Sequence, residues 1–261
     1  LRNSRKKRQR QQRKKSELRA GGNPKIRTPI GLIPESPPIR SSMEVFPLFS
    51  TPLSVRQYDN RISQEDLDNI KREEYVDYPK QLDGSCTVDE QILEKYPDLK
   101  QLCIEHCAEY IYKFLAVDDN MHMDIVCSWV NKHPTGHSAN RHGHTNSMFT
   151  GCLYLDVPED SGDLIFEASY NHATWNTGTL DPPVWEDNIQ NSRKWNIKPE
   201  NGMIVCFPSH VDHYTGVNNN TEDRYSLGFN IMLCGDFSAP TRRLIMDSYR
   251  EPDWSYVKQG V

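Results

Sequence analysis

The spacing of apolar residues changes twice along the chain. Positions 1–42 are rich in Arg, Lys, Gln and Pro, whereas an apolar-rich stretch opens at Met43 and leads into two helical patterns. From about position 123 onward the spacing becomes that of short strands. Helices first and antiparallel strands afterwards predict an α+β fold in which the helices flank one sheet of a β core.

Two helices are predicted ahead of the strands. Ser63 supplies an N-cap, and the acidic residues that follow it suit the first turn of a helix that runs to about Glu74. A second helical pattern covers positions 89–115, where apolar residues recur mostly at three- and four-residue steps. Pro97 marks a break within this second pattern.

Short strand-like runs follow, separated by turn residues such as Pro, Gly and Asn: MDIVCSWVN, MFTGCLYLDV, DLIFEA, KWNIKP, GMIVCFP, DHYTGV and RYSLGFNIML. At least seven short strands with no helical pattern between them indicate a barrel or a sandwich. The span 169–193 is too long and irregular for a hairpin turn. Loops of that length are usually functional, so we expect a lid over a binding site.

Charge divides the chain at the same point as the apolar pattern. Positions 1–42 hold 13 Lys and Arg against two Glu, although the net charge of the whole chain is -5. This composition predicts a disordered basic arm, with nucleic acid or another anionic surface as a candidate partner. An alternative is that translation begins at Met43, because the chain starts with Leu1 and Met43 is its first Met.

Several classes of protein are disfavoured by composition. No run approaches the roughly 18 to 20 apolar residues of a bilayer span, and the N-terminus lacks the apolar core of a secretory signal. Seven Cys, an odd number without a CxxC repeat, argue against a disulfide framework. We therefore expect a soluble cytoplasmic protein that does not contact a membrane.

Candidate metal ligands cluster in the strand region. His142 and His144 stand two residues apart, and in an extended segment this spacing places both imidazoles on one face, where they can chelate one ion. His210 and His213 follow where a later strand ends. His137 lies in a Gly- and Pro-containing turn before the pair and is a candidate for contact with a substrate.

The last strand has two chemically different faces. Arg224, Ser226, Gly228 and Asn230 share one face, while apolar residues share the other. The apolar face must meet the core or the helices. A cation and a hydroxyl then line the interior, which is an expensive arrangement unless an anion binds there.

The residues of this region carry a resemblance to a known family. The succession SWVNKHPTG, HGHTNSMFTGCLYLDVPEDSGDLIF, GMIVCFPSHVDHYTGV and EDRYSLGFN resembles the 2-oxoglutarate- and Fe(II)-dependent oxygenases of the prolyl-hydroxylase-like superfamily, particularly a group found in phages and marine microbes. The resemblance covers roughly positions 44–233. It implies a double-stranded β-helix (jelly roll, cupin-like) core within a domain at 43–240, between the basic arm at 1–42 and a tail at 241–261.

The resemblance also implies roles for single residues. It assigns Fe(II) to His142, His144 and His213, and the distal carboxylate of the cosubstrate 2-oxoglutarate to Arg224 and Ser226. The superfamily usually has a carboxylate at the position of His144, so the triad here would be three His.

Further candidates follow from the same resemblance and from strand parity. Tyr154 and Asn131 are candidates for hydrogen bonds to the cosubstrate, with ordinary barrel packing as the alternative. His210 and His137 are candidates for contact with a substrate or with a metal ligand, and for His210 an exposed loop position is the alternative.

The implied activity is that of a dioxygenase that hydroxylates an unidentified substrate and releases succinate and CO2. The substrate class stays open between a protein side chain, a nucleic acid and a small molecule. One alternative is a cupin-like metal-binding module that ignores the keto acid. Another is a nucleic-acid-binding protein that acts through the basic arm and loses affinity as salt rises.

Overall fold

A computed structural model describes residues 43, 50–78, 83–168, 183–188, 190–237, 242 and 244–246. The chain divides into two compact units, 1–45 and 46–261, and every element below belongs to the second unit. The predicted arm at 1–42 lies outside the described residues. Most of the predicted lid at 169–193 and most of the predicted tail at 241–261 lie outside them as well.

The first predicted helix is present. Helix α1 spans Gln64–Lys71, and the hydroxyl of Ser63 accepts a hydrogen bond from the backbone amide of Asp66, as expected of an N-cap. The one buried residue of α1, Ile70, joins the main apolar core. The helix ends earlier than the predicted Glu74, because the chain turns there into a strand that begins at Tyr75.

The second helical pattern forms three successive pieces. A 3-10 turn at Ile92–Glu94 precedes helix α2 at Pro97–Ala108, and a π-helical segment at Glu109–Phe114 continues α2. Pro97 begins α2 instead of breaking a longer helix. This position suits proline, since the first helical amide needs no acceptor within the helix.

Within the described residues the chain forms eleven strands: β1 Ser54–Gln57, β2 Tyr75–Asp77, β3 Ser85–Thr87, β4 His122–His133, β5 Phe149–Asp156, β6 Leu164–Glu167, β7 Lys194–Ile197, β8 Met203–Pro208, β9 His213–Thr215, β10 Arg224–Asp236 and β11 Ile245–Met246. The seven predicted strands are β4 to β10. Strands β1, β2, β3 and β11 were not predicted, because two to four residues show no clear alternation.

The strands form two antiparallel sheets. The larger sheet has the order β1-β8-β5-β10-β4-β3-β2, with β11 paired to β10, and the smaller sheet has the order β7-β6-β9. This antiparallel, sheet-rich architecture with few helices is consistent with a jelly roll. No helix in the described part of the chain is long and apolar enough to cross a membrane.

Strand β10 lies at the centre of the larger sheet and pairs with β4 and β5. On one side Leu227, Phe229 and Ile231 are fully buried in an apolar cluster that also contains Leu102 of α2. Strand β5 comes so close that a Cβ on Gly151 would lie 2.1 Å from the Phe229 ring. Only glycine fits there, so the core fixes the register of β5 against β10.

A second apolar cluster joins the two sheets. It contains Leu164 and Phe166 from β6 together with Val205 and Phe207 from β8. The rings of Phe166 and Phe207 meet edge to face, with centroids 4.9 Å apart. This cluster supports the side of the larger sheet on which the candidate site lies.

Candidate active site

Two backbone hydrogen bonds tie the His pair to strand β9. The amide of His142 donates to the carbonyl of His213 at 2.9 Å, and the amide of His213 donates back to the carbonyl of His142 at 2.9 Å. The amide of His144 donates to the carbonyl of Ser209 at 2.9 Å. The segment 142–144 therefore lies alongside 209–213, which brings residues about 70 positions apart in sequence into one cluster.

The three imidazoles of His142, His144 and His213 converge. Their candidate ligand nitrogens all lie within 4.8 Å of one another, and the Nε2 atoms of His144 and His213 are 3.3 Å apart. Two nitrogens that share one ion at about 2.1 Å, at angles between octahedral and tetrahedral, are separated by roughly 3.0 to 3.4 Å. The spacing of this pair therefore fits one divalent transition-metal ion.

The outer ring nitrogens have partners that fix the tautomers. The Nδ1–H of His142 donates to the carbonyl of Asn140 at 2.6 Å, and the Nδ1–H of His213 donates to the carbonyl of Val211 at 3.0 Å. Each ring then presents the lone pair of Nε2 towards the centre of the cluster. Metal-binding His residues are commonly oriented in this way by their second nitrogen.

The third ligand candidate is oriented by a buried polar network. Asn230 is a side-chain hydrogen-bond partner of the His144 ring. The Oδ1 of Asn230 also accepts a hydrogen bond from the hydroxyl of Thr150 at 3.0 Å. Thr150 in turn contacts the hydroxyl of Ser209 at 2.9 Å.

Two imidazoles of the triad, those of His144 and His213, are neutral at ordinary pH. Burial lowers the pKa of His144 to about 3, and the adjacent imidazoles of His213 and His142 add to the effect. Burial likewise lowers the pKa of His213 to about 4, assisted by His142. A metal ion needs the unprotonated ring, so this environment keeps both side chains ready to bind one.

A cavity of about 190 Å³ adjoins the triad. Its walls combine the three imidazoles with polar side chains and aromatic rings from β4, β5, β8 and β10. The described residues that line it are Tyr78, Trp129, Asn131, His133, Ala139, His142, His144, Thr150, Gly151, Cys152, Tyr154, Leu164, Phe207, His213, Thr215, Ser226 and Gly228. The three triad ligands and three of the cosubstrate candidates, Asn131, Tyr154 and Ser226, thus line one cavity.

Arg224 lies directly behind the cavity wall and is 1% exposed. Its Nη1 donates to the carbonyls of Ser161 at 2.7 Å and Gly162 at 2.9 Å, and its Nη2 lies 3.3 Å from Nδ1 of His133. Its Nε is buried without a hydrogen-bond partner in the described structure. No carboxylate among the described residues pairs with this guanidinium. Burial lowers its pKa from the ordinary value, which shows that the charge is poorly compensated.

Tyr154 and Ser226 stand between Arg224 and the cavity. They are register partners on β5 and β10, and both are buried. Burial raises the pKa of the Tyr154 phenol well above its usual range, so Tyr154 remains a hydrogen-bond donor at any physiological pH. Cys152, two residues before Tyr154, hydrogen-bonds with both side chains, and burial raises the pKa of its thiol to about 11.

Asn131 also reaches the cavity, with its amide orientation fixed by two neighbours. Its Oδ1 accepts hydrogen bonds from the hydroxyl of Tyr78 at 2.9 Å and from the indole Nε1–H of Trp129 at 3.1 Å. The Nδ2 donors are therefore available to a bound molecule. The indole of Trp129 lies nearly parallel to the His144 ring, with centroids 5.7 Å apart.

The structure does not bring the remaining candidates to the cavity wall. His210 is exposed and does not line the cavity. His137 pairs with Asp83 at 2.6 Å on a half-exposed surface. His210 thus lies at an exposed position, whereas His137 is half-buried.

Sequence reasoning missed several residues of the site. Tyr78 and Trp129 entered no site prediction, and Thr150 and Asn230 were not linked to the His pair. His133, fully buried beside Arg224, lacks a described partner at Nε2. One sequence signal could have identified Asn230 as a site residue. Side chains alternate between the two faces of β10, and this alternation places Asn230 on the same face as Arg224.

Comparison with known proteins supports the resemblance. Residues 127–230 match the profile of a family described as "Putative 2OG-Fe(II) oxygenase". This stretch contains all the metal and cosubstrate candidates. The predicted resemblance to the 2-oxoglutarate- and Fe(II)-dependent oxygenases, a class of oxidoreductases with Fe(II) and 2-oxoglutarate as cofactor and cosubstrate, is thereby confirmed. No curated protein matches the chain by sequence.

Solved structures give a similar result for the fold. The non-haem alpha-ketoglutarate-dependent epimerase SnoN from nogalamycin biosynthesis is 12% identical, with 78% of this chain and 93% of that chain covered and a TM-score of 0.52. A prolyl-4-hydroxylase from Pseudomonas putida is 17% identical, with coverages of 70% and 93% and a TM-score of 0.43. An oxidoreductase of the 2OG-Fe(II) oxygenase family from Burkholderia pseudomallei is 11% identical, with coverages of 69% and 84% and a TM-score of 0.47. The likeness to the epimerase shows a shared fold.

Proposed function

We propose that this chain is an Fe(II)- and 2-oxoglutarate-dependent dioxygenase that hydroxylates a substrate and releases succinate and CO2. One observation carries the proposal: a cavity has three converging imidazoles in its wall and, behind the wall, a buried guanidinium with no described carboxylate partner. The imidazoles suit a transition-metal ion, and the guanidinium suits an anion that enters from the cavity. The binding of 2-oxoglutarate, which is a keto diacid, would use both the metal ion and the guanidinium.

His142, His144 and His213 would hold the iron. Three facial ligands leave coordination positions for the keto acid and for dioxygen, so the bound metal would supply the redox chemistry of the reaction. The protein contributes fixed tautomers through Asn140, Asn230 and Val211, as the ring contacts of the three ligands indicate. It also contributes a buried environment that keeps His144 and His213 unprotonated.

Arg224 would bind the distal carboxylate of 2-oxoglutarate. The backbone carbonyls of Ser161 and Gly162 orient its Nη1, and a carboxylate would compensate a charge that burial now disfavours. Charge-assisted hydrogen bonds of this kind are among the stronger polar contacts in proteins. Ser226, on the same face of β10 and in the cavity wall, would donate a further hydrogen bond to the same group.

Tyr154 and Asn131 would orient the cosubstrate. The phenol of Tyr154 stays protonated and can donate, and the Nδ2 of Asn131 faces an open space because its Oδ1 is engaged by Tyr78 and Trp129. Asn131 on β4 and Tyr154 on β5 lie on the two strands that flank β10. As neutral hydrogen-bond donors, they would hold the keto acid without adding charge. His210 and His137 remain candidates for contact with a substrate at the rim.

The wider layout is part of the same proposal. The jelly-roll domain would span 43–240 with α1 and α2 against the larger sheet, as the shared apolar cluster of α2 and β10 suggests. Positions 1–42 would form a separate basic arm that is open to nucleic acid, and 241–261 a tail. A cupin-like metal-binding module would use the same imidazoles but would leave Arg224 without a role.

A metal and cosubstrate titration tests the proposal. Under anaerobic conditions the wild-type chain should bind one Fe(II), and the loaded protein should then bind 2-oxoglutarate. With oxygen it should form succinate slowly even without its substrate. His213→Ala should abolish stoichiometric Fe(II) binding with little change in fold, whereas His122→Ala, which removes an exposed His on β4, should keep it. Stoichiometric binding by His213→Ala would show that the ligand assignment is wrong.

A further inference from the structure

The described walls of the cavity beside the triad carry no carboxylate. Of the described residues that line it, none is Asp or Glu. Four of them are His, and an imidazole that binds a metal ion does so as the neutral ring. Arg224 adds one positive charge directly behind the wall, again without a described carboxylate partner.

Three carboxylates of the described chain lie near the cavity but outside its lining, and two of them have partners of their own. Asp83 pairs with His137 at 2.6 Å, and Asp212 pairs with Arg141 at 3.0 Å. Asp163 lines a separate surface cleft that does not share its walls with the cavity, and its charge has a minor effect on Tyr154 in the cavity wall. Acids that are solvated or already paired compensate a buried charge weakly.

With a divalent metal ion and 2-oxoglutarate bound, the charges of the site do not sum to zero. A divalent metal and Arg224 together bring three positive charges, whereas 2-oxoglutarate brings two negative charges. The position that would otherwise hold a carboxylate is His144, whose imidazole brings no negative charge. Among the described residues, one positive charge therefore remains without a counter-charge in the cavity, and an uncompensated buried charge is costly.

We propose that the metal- and 2-oxoglutarate-loaded site binds one further monoanion next to the cosubstrate. Its source is either a small inorganic anion or an anionic group, such as a carboxylate or a phosphate ester, on the substrate. This inference rests on the proposed function and extends it to the chemical class of the ligand that completes the site. A neutral, apolar substrate alone would leave the excess charge in place.

The experiment uses the full chain loaded with Co(II) in place of Fe(II) and saturated with 2-oxoglutarate. Chloride, azide, acetate and methyl phosphate are titrated separately and followed by calorimetry and by the visible absorption of Co(II). At least one of the four anions should bind saturably with one-to-one stoichiometry. A change in the Co(II) spectrum places the anion on the metal, whereas heat without a spectral change places it in the substrate space.

Two variants test whether the absence of a negative charge at position 144 causes the anion to bind. His144→Asp supplies the missing negative charge, so the anion should bind at least about tenfold more weakly because close charges in a poorly solvated site interact strongly. Thr145→Asp puts the same charge on the adjacent exposed residue, where solvent screens it, and should change the affinity less than about threefold. His144→Glu replaces His144→Asp if the shorter carboxylate fails to hold Co(II).

The outcomes separate this inference from the proposed function. Failure of the wild-type chain to bind Co(II) or 2-oxoglutarate would overturn the proposed function itself. Normal binding of both, with no saturable binding of any of the four anions, would overturn the anion inference alone. Equal anion affinity in the wild type and the carboxylate variant would overturn its electrostatic basis.

Discussion

The two faces of strand β10 are almost equally buried but chemically opposite. Leu227, Phe229 and Ile231 point into an apolar core and are fully inaccessible. On the other face Arg224 and Ser226 are 1% and 5% exposed, and their neighbours are polar. The face that meets the helices is typical of a β core, whereas the face that meets the cavity withdraws a cation and hydroxyls from water.

This contrast separates residues kept for stability from residues kept for chemistry. Burial of an apolar side chain stabilises a fold in proportion to the area removed from water. Burial of an unpaired cation does the reverse, so a fold that retains one gains something other than stability. Substitutions on the two faces should therefore affect different measurements.

The largest effect is expected on the apolar face. Phe229→Ala should lower the free energy of unfolding by about 3 to 5 kcal/mol, because it leaves a cavity where the ring now fills the space over Gly151. The affinity of the protein that remains folded for 2-oxoglutarate should change little. Denaturant unfolding of the variant, with a ligand titration at low temperature, checks both parts. A large loss of cosubstrate affinity in folded protein would show that the two faces are not independent.

The second-largest effect is expected on the cavity face of β10, and it should appear in the affinity for 2-oxoglutarate. Arg224→Ala should weaken 2-oxoglutarate binding by about 2 to 5 kcal/mol, or roughly thirty- to several-thousand-fold, at unchanged Fe(II) occupancy. Arg224→Lys should recover only part of this, since an ammonium lacks the planar fork of a guanidinium. Unfolding curves should show a smaller loss of stability than in Phe229→Ala.

The opposite outcome for Arg224→Ala has a clear meaning. Unchanged affinity for 2-oxoglutarate with a lowered melting temperature would make Arg224 a structural residue that serves only the carbonyls of Ser161 and Gly162. That result would remove the cosubstrate assignment and most of the support for an oxygenase.

The sequence was sufficient for features that depend on local spacing. The strands β4 to β10 follow from alternation, and the His142 and His144 pair follows from an i, i+2 step in an extended segment. The two faces of β10 follow from parity. The resemblance supplied the third imidazole and the role of the cation, which no local pattern specifies.

The remaining features depend on contacts between distant segments. Thr150 lies opposite Asn230 only because β5 and β10 pair in one register, and Trp129 lies opposite Gly228 for the same reason on β4. A Cβ at Gly228 would stand 2.9 Å from the indole of Trp129, so this glycine gives the ring its place. Neither relation can be read from spacing along one strand.

A smaller effect tests the network behind His144. Asn230→Val keeps a similar volume but removes the hydrogen-bond partner of the His144 ring, so Fe(II) should bind roughly ten- to a hundredfold more weakly. Thr150→Val removes a hydroxyl that is one hydrogen bond further from His144, so it should weaken Fe(II) binding less. Anaerobic calorimetry with Fe(II) compares the two variants. An equal loss in both would indicate a general disturbance of packing instead of an effect on one ligand.

The helix side of the larger sheet also has a buried imidazole. The pH dependence of stability can therefore be compared between this side and the cavity side. His106 of α2 contacts the hydroxyls of Ser54 at 2.9 Å and Tyr58 at 3.2 Å, and burial lowers its pKa to about 4. Unfolded His titrates near 6.5, so between these values the unfolded state binds a proton that the folded state does not. The stability from this group is complete above about pH 6.5 and is lost as pH falls towards 4.

The expected contribution of His106 to this pH dependence is about 1 to 2 kcal/mol, allowing for partial solvation of the ring. His106→Gln should flatten the stability curve between pH 6.5 and 4 relative to the wild type, and His122→Gln, at an exposed position, should not. Urea unfolding at several pH values measures the difference. Parallel curves for His106→Gln and the wild type would show that the pH dependence arises elsewhere, with the buried imidazoles of the cavity as the next candidates.

The smallest effect is expected from deletion of the basic segment at 1–42. Positions 1–42 carry 13 Lys and Arg and two Glu, a composition that cannot bury enough apolar surface to offset the entropy of ordering. Deleting them should leave the melting temperature, Fe(II) binding and 2-oxoglutarate turnover unchanged within error. Affinity for nucleic acid, if the full chain has it, should fall with the deletion and with rising salt. A drop of several degrees in melting temperature would instead mean that the segment packs on the jelly-roll domain and that the boundary at Met43 is wrong.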